Sequence, residues 1–415
     1  MGGRDLLSRW AQVVSVTLIA VGLAACQTTS EPTVKATPVA SGLRAPFSYS
    51  AFERIADTGL KPGPLLLHGG GGGRRSAKPE AFFEALFEFA RRSKLNSPQV
   101  CLIEAAAPDP RPFERADAQN GITFIFLGIT PENRAVSTRD PKVLGAIYAC
   151  SVFYFAGGDP SRLSTALIEN NGTDTPALKA IRQRHAEGAA VTGSSAGAMA
   201  ASKTMMCECG AGSSVDALVN NRLKLAPGLR FVSEGLIDAH FLERGLIGRL
   251  VGALKTTAEP FALGLDEDTA VLIPGDGTPW TIIGESGAVA LRPTSAREPY
   301  RQIAIDLLAD GDRYDPSNGS IQISPARPQI TPARVTVENS VSEVFAPGAF
   351  RKLMELAAIN ATGLAAGGSQ VPGIRISVTR TPETKVYFAS DLPGDRAYSL
   401  TGLRLSVTAP VAQKP

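Results

Sequence analysis

Histidine is scarce in this 415-residue chain: three residues, His68, His185 and His240, beside two tryptophans and five cysteines. So few histidines, and cysteines with neither a histidine neighbour nor a second spaced pair, argue against a zinc site or any other bound metal. Charge of one sign is equally lacking. The 42 basic and 39 acidic residues leave a net charge of +3, and no like-charged block exceeds pairs such as Arg74-Arg75 and Arg91-Arg92. Nucleic acid is therefore not an expected partner. A phosphate-binding fingerprint is absent too. The glycine run Gly69 to Gly73 leads into Arg74 and Arg75, so G-x-G-x-x-G fails, and no Lys-Ser/Thr follows. No cofactor is expected, and the glycines either let backbone approach a substrate or form a plain turn.

The longest apolar run belongs to the first 26 residues. Arg4 and Arg9 precede AQVVSVTLIAVG, which is too short for a comfortable membrane span and reads as a secretion signal. Leu23-Ala24-Ala25-Cys26 resembles the bacterial lipobox, in which the cysteine is lipidated and becomes the mature N-terminus; the alternative is an ordinary cleaved signal. Gln27 rather than Asp follows, which in Gram-negative lipoproteins implies the outer membrane, facing periplasm or exterior. Residues 27–58, rich in Thr, Pro, Ser and Ala, read as a tether. Of the remaining cysteines, Cys101, Cys150, Cys207 and Cys209, some can pair in an oxidising envelope, although Cys207 and Cys209 are poorly placed to pair with each other.

From Gly63 the chain alternates short apolar runs (PLLLH, VCLIEAA, TFIFLGI, SVFYFAG, AAVTGS) with helical stretches. That is the pattern of βαβ units around a buried parallel sheet, whose ligands sit at the C-terminal strand ends. Glycine-rich breaks fall at those ends: Gly69 to Gly73, Gly157-Gly158, and Gly193 to Gly197. After His240 the pattern changes to strands and hairpins. Residues 326–415 read as an appended small α+β module without a catalytic constellation, leaving 59–325 as the main domain.

Gly193-Ser194-Ser195-Ala196-Gly197 fits G-x-S-x-G, in which small flanking residues allow a strained strand-to-helix turn to expose Ser195 as a nucleophile; the alternative is a capped turn. An activated serine needs a base and a group that orients it. His68 ends a strand and could border a site. His185 lies in RQRHAEG, at a helix end whose dipole suits it. That leaves His240, in LIDAHFLERG, as the best base.

GSSAGA, with LAPGL, IDAHFLERGLIGRL and GLDEDTAVLI, resembles the cyanophycinase-like serine peptidases, relatives of dipeptidase E, over roughly residues 60 to 315. The resemblance implies a flavodoxin-like α/β fold, related to class I glutamine amidotransferases, with a mostly parallel sheet flanked by helices. It implies Ser195 as nucleophile and His240 as base. The third relay group is then an acid about two dozen residues before the histidine: Asp216, with Glu208 as competitor. The oxyanion hole falls to the N–H of Ala196 and, by resemblance to the family's Gly-Gly loop, Gly158. Glu267 and Thr269 are assigned at most site-shaping roles.

The resemblance thins at substrate recognition. Pro160 and Ala239 stand where the family carries glutamines, and of its arginines Arg244 and Arg249 remain while Leu246 fills the middle place. Arg244 and Arg249, with Asp159, are the candidate substrate contacts. The expected function is a lipid-anchored serine hydrolase acting on short aspartyl or isoaspartyl peptides, or a cyanophycin-like poly-amino acid, through an acyl-enzyme. Alternatives are an inactive binding lipoprotein of the same fold or an amidase or esterase of other specificity. A homodimer is compatible with the sequence.

Overall fold

A computed structural model describes residues 62–409 apart from 72–80, 94–97, 117, 119–120, 208–211, 221, 278, 296–301, 333 and 393. The expected signal sequence and tether, with Cys26, and also Glu208 and Cys209, lie outside the described residues.

The apolar runs become strands β1 (Leu65–His68), β2 (Gln99–Ile103), a short β3 (Glu114–Arg115), β4 (Thr123–Phe126), β5 (Val152–Phe155) and β6 (Ala190–Ser194). In space β4, β2, β5, β6 and β1 lie side by side, all parallel. Residues of β1, β2 and β5 are buried throughout, which is why these strands read as continuous apolar runs without alternation. Helix Ala81–Arg92 covers one face through Phe82, Leu86 and Phe89. The other face packs on helices Pro141–Ala149, Pro160–Leu167 and Pro176–Ala186. Each of those three begins with proline after a capping side chain: Asp140 accepts from the Lys142 N–H, Asp159 from Ser161, Thr175 from Leu178. Cys101 of β2 is disulfide-bonded to Cys150, just before β5.

After β6 the chain forms a separate two-stranded ribbon, β7 (Thr204–Met206) with β8 (Leu225–Pro227), and then β9 (Leu236–Asp238) and β10 (Ala262–Leu265), which pair in parallel. Strands β11 (Thr269–Ile273) and β12 (Trp280–Gly284) return antiparallel beside β1 and, with later β15 (Arg313–Asp315) and β16 (Ser320–Gln322), widen the first sheet to ten strands. Strands β13 (Ala288–Pro293) and β14 (Ile303–Leu308) join β10 and β9 in a second sheet.

The C-terminal residues contain the expected mixture of a helix, Ala349–Ile359, and strands: β17 (Gln329–Ile330), β18 (Ser340–Val341), β19 (Leu364–Gly367), β20 (Arg375–Phe388) and β21 (Tyr398–Thr408). They are more tightly joined to the rest than an appendage. Strand β21 pairs with β14, so the second sheet runs β18-β19-β20-β21-β14-β13-β10-β9 without a break. One apolar cluster unites Phe241, Leu246 and Leu250 with Phe350, Leu353 and Leu403. Among the described residues no helix is long and apolar enough to cross a membrane.

Candidate active site

Strand β6 ends in a sharp turn. Ser195 has φ 54° and ψ −115°, a conformation that non-glycine residues adopt only under constraint. Its neighbours explain how the turn closes. A side chain on Gly193 would meet the Gly197 carbonyl carbon at 2.5 Å, and one on Gly197 would meet the Phe155 carbonyl oxygen at 2.0 Å. The Ser195 N–H is donated to the His68 carbonyl at the end of β1, 2.9 Å away. The hydroxyl is thereby aimed at His240, with Oγ 2.7 Å from Nε2.

His240 follows β9, so the second sheet delivers it to the C-terminal end of the first. It also has positive φ, 54°, and its N–H is donated to the Gly69 carbonyl at 2.8 Å. On the far side of the ring, Nδ1 lies 2.6 Å from Glu267 Oε1. Glu267 accepts there, which places the proton on Nδ1 and leaves Nε2 to accept from Ser195. Burial holds the His240 imidazole below the usual histidine range; Glu267 opposes that shift, and the Arg244 cation adds to it. The ring is therefore neutral near pH 7 and able to take a proton.

The glycine run serves this pair. A Cβ on Gly70 would sit 2.3 Å from His240 Cε1, and one on Gly71 would sit 2.7 Å from Glu267 Cβ. The backbone approaches the imidazole and its carboxylate here. His68, buried at the base of the loop, accepts the Gly70 N–H at Nδ1 (3.2 Å), and the same nitrogen lies 3.1 Å from Ser194 Oγ. Burial, with His240 next in effect, lowers its pKa to about 3, so it stays neutral. It stacks on Phe82 and supports the loop.

Not every sequence-derived site residue converges here. Asp216 does not reach the imidazole: it lies in the segment Asp216–Asn220, which packs against helix Ile247–Thr257, and its carboxylate accepts from Asn220 Nδ2 at 2.7 Å. Glu267 occupies the relay position instead, because the turn between β10 and β11 folds back under the loop that carries His240. Arg249 is also displaced from the substrate role. It is fully buried and forms a two-pronged ion pair with Asp238, at 3.0 Å from Nε to Oδ2 and with Nη2 on Oδ1. Asp238 lies two residues before His240, so this pair anchors the base's loop from below. The Asp159 carboxylate is taken up by the Ser161 N–H and hydroxyl, at 2.9 and 2.7 Å, as a helix cap. Arg244 remains at the rim, its side chain 27% exposed and Nε 3.9 Å from Glu267 Oε1.

Ala196 is the first residue of the helix after the nucleophile, and no backbone acceptor among the described residues takes its N–H. Gly157 and Gly158 follow β5 on the same rim. A Cβ on Gly157 would lie 3.6 Å from Ser195 Oγ, and Gly158 (φ 137°) presses against the Ala106 carbonyl. Among the described residues no group of histidine, cysteine and acidic side chains is placed to hold a metal.

The profile of peptidase family S51 matches residues 65–280, more than half of the chain. The chain belongs to peptidase family S51. A cyanophycinase of Trichormus variabilis is 28% identical over 253 residues, covering 56% of this chain and 80% of that protein. A cyanophycinase of Geminocystis herdmanii is 31% identical over 179 residues, 40% of this chain and 62% of that one. Among solved structures, a peptidase from an acI-B1 actinobacterium aligns with a TM-score of 0.43 and 20% identity, covering 55% of this chain and 91% of its own. This S51 member is accordingly a serine peptidase with a cyanophycinase-like core. The matched region contains Ser195, His240 and Glu267 and stops before β13, so the continuous second sheet lies largely outside it.

Proposed function

We propose that this S51 peptidase hydrolyses short aspartyl or isoaspartyl peptides, or a cyanophycin-like polymer, through an acyl-enzyme on Ser195. The observation that carries the reading is the continuous contact from Ser195 Oγ through His240 to Glu267, at 2.7 and 2.6 Å. Ser195 Oγ attacks the carbonyl carbon while His240 Nε2 takes its proton, and Glu267 steadies the imidazolium. The oxyanion is held by the Ala196 N–H with Gly158 opposite. His240 returns the proton to the leaving amine, and water, deprotonated by the same nitrogen, releases the acid.

Arg244 is the cation that remains at the rim for a substrate carboxylate. Pro160, a buried first residue of a helix, and Ala239, also buried, offer no polar side chain where the related glutamines stand. A site that has lost such groups favours small substrates over a polymer that depends on them. The test is labelling with a fluorophosphonate followed by a panel of Asp-X, isoAsp-X and unrelated dipeptides and cyanophycin itself. Wild-type protein is expected to label at Ser195 and to cleave acidic dipeptides first. Folded protein that neither labels nor cleaves overturns the proposal. We further propose that Cys26 carries a lipid and tethers the enzyme to the outer membrane; the reading rests on the charged start, the apolar run and LAAC.

A further inference from the structure

Residues 241–245, directly after the base, are gripped by residues 345–351 of the C-terminal region. The Gly348 N–H is donated to the Leu242 carbonyl at 3.0 Å. Gly245 lies so close to the Phe345 carbonyl that a Cβ would stand 1.9 Å from its oxygen. Phe241 and Phe350 meet edge to face, ring centroids 6.4 Å apart. A buried polar chain runs beside these contacts. Asp266, the neighbour of Glu267, accepts the N–H groups of Leu242 and Glu243 on Oδ1, at 3.0 and 2.8 Å. Its Oδ2 accepts the Ser286 hydroxyl at 2.6 Å, and Arg351 Nη2 donates to that hydroxyl oxygen at 3.1 Å. All three side chains are buried.

We infer that Arg351 is a positioning residue of the hydrolytic site, setting the His240–Glu267 geometry through Ser286 and Asp266. The inference rests on the proposed function, since it matters only if His240 is the base. Its physics is local. A guanidinium donating to Ser286 Oγ turns the serine proton towards Asp266. Asp266, held at both oxygens, fixes the turn after His240 against the turn that carries Glu267. Without Arg351, which also faces Asp395 Oδ2 at 3.7 Å, the hydroxyl is free to rotate towards that carboxylate, 3.5 Å away, and Asp266 loses the serine donor on Oδ2.

The experiment compares full-length wild type, Arg351→Met and Arg351→Lys by fluorophosphonate labelling, separating the limiting rate of labelling from the probe's half-saturating concentration. The low-field proton resonance of the His240 Nδ1–H is followed in parallel. Arg351→Met is expected to lower the limiting rate by about tenfold or more, as small misplacements of a base do, with half-saturation unchanged and the resonance broadened. Arg351→Lys, which restores a donor, should recover most of the rate. Folded Arg351→Met protein that labels at the wild-type limiting rate overturns the inference alone. A wild type that never labels removes the proposed function and this inference together. Should Arg351→Met not fold, Ser286→Ala carries the same expectation, and an undiminished limiting rate there is equally decisive against it.

Discussion

Glu267 shows how far a single side chain can be read from a linear sequence. Three acids follow one another at Asp266, Glu267 and Asp268, and nothing in their order says which faces the imidazole. In the structure Asp266 turns to the backbone beyond His240 and Glu267 to its Nδ1. Asp216 had the sequence position the resemblance called for, but the turn that folds back beneath His240 is the later one. Glu267→Gln keeps the shape but removes the charge that stabilises the imidazolium, so turnover should drop by about 10⁴, the size of effect seen when a relay carboxylate is neutralised. Asp216→Asn, on an exposed bond to Asn220, should leave turnover within about threefold. Turnover of both variants on a cleaved dipeptide checks the pair of expectations; equal loss in both would restore Asp216 to the site. Arg249 was misleading for a related reason. A basic residue after the histidine looks like a substrate contact until the fold shows Asp238 claiming it, and burial of a charge is invisible to spacing.

At the scale of elements, the loop after β1 and the turn after β6 are built for close approach. The glycines at 193 and 197 were legible as an elbow because the motif states its own steric reason. The run from Gly69 was not, since its partner, the imidazole of His240, arrives from a different sheet. Gly70 has φ 95°, which suits glycine, and it has no room for a side chain. Gly70→Ala should therefore displace the imidazole and lower the limiting labelling rate by about 10². Labelling at the wild-type rate would mean that the loop yields and the ring stays. The crossover helices were legible only as stretches between the apolar runs; their proline starts and the capping roles of Asp140, Asp159 and Thr175 came with the structure, and Asp159 had the look of a substrate contact.

At the scale of the whole molecule, the parallel core was readable from βα alternation, whereas the union of the C-terminal strands with the strands around residue 300 was not, because strand partners distant in sequence leave no local signal. The proposed anchor belongs to this scale as well. Cys26→Ala protein is expected to leave the membrane fraction and to lack lipid by mass, while its fluorophosphonate labelling stays unchanged; retention with membranes in that variant would contradict the anchor. One consequence of the sheet order concerns the order of folding. Strand β21 follows every other strand among the described residues yet lies in the interior of the second sheet, hydrogen-bonded to β14 on one side and β20 on the other. Until β21 is in place, β14 keeps an open edge and the sheet that presents the base is two unjoined halves. A chain that folds in the order of its synthesis thus leaves this seam late, and joins the two halves only when β21 arrives.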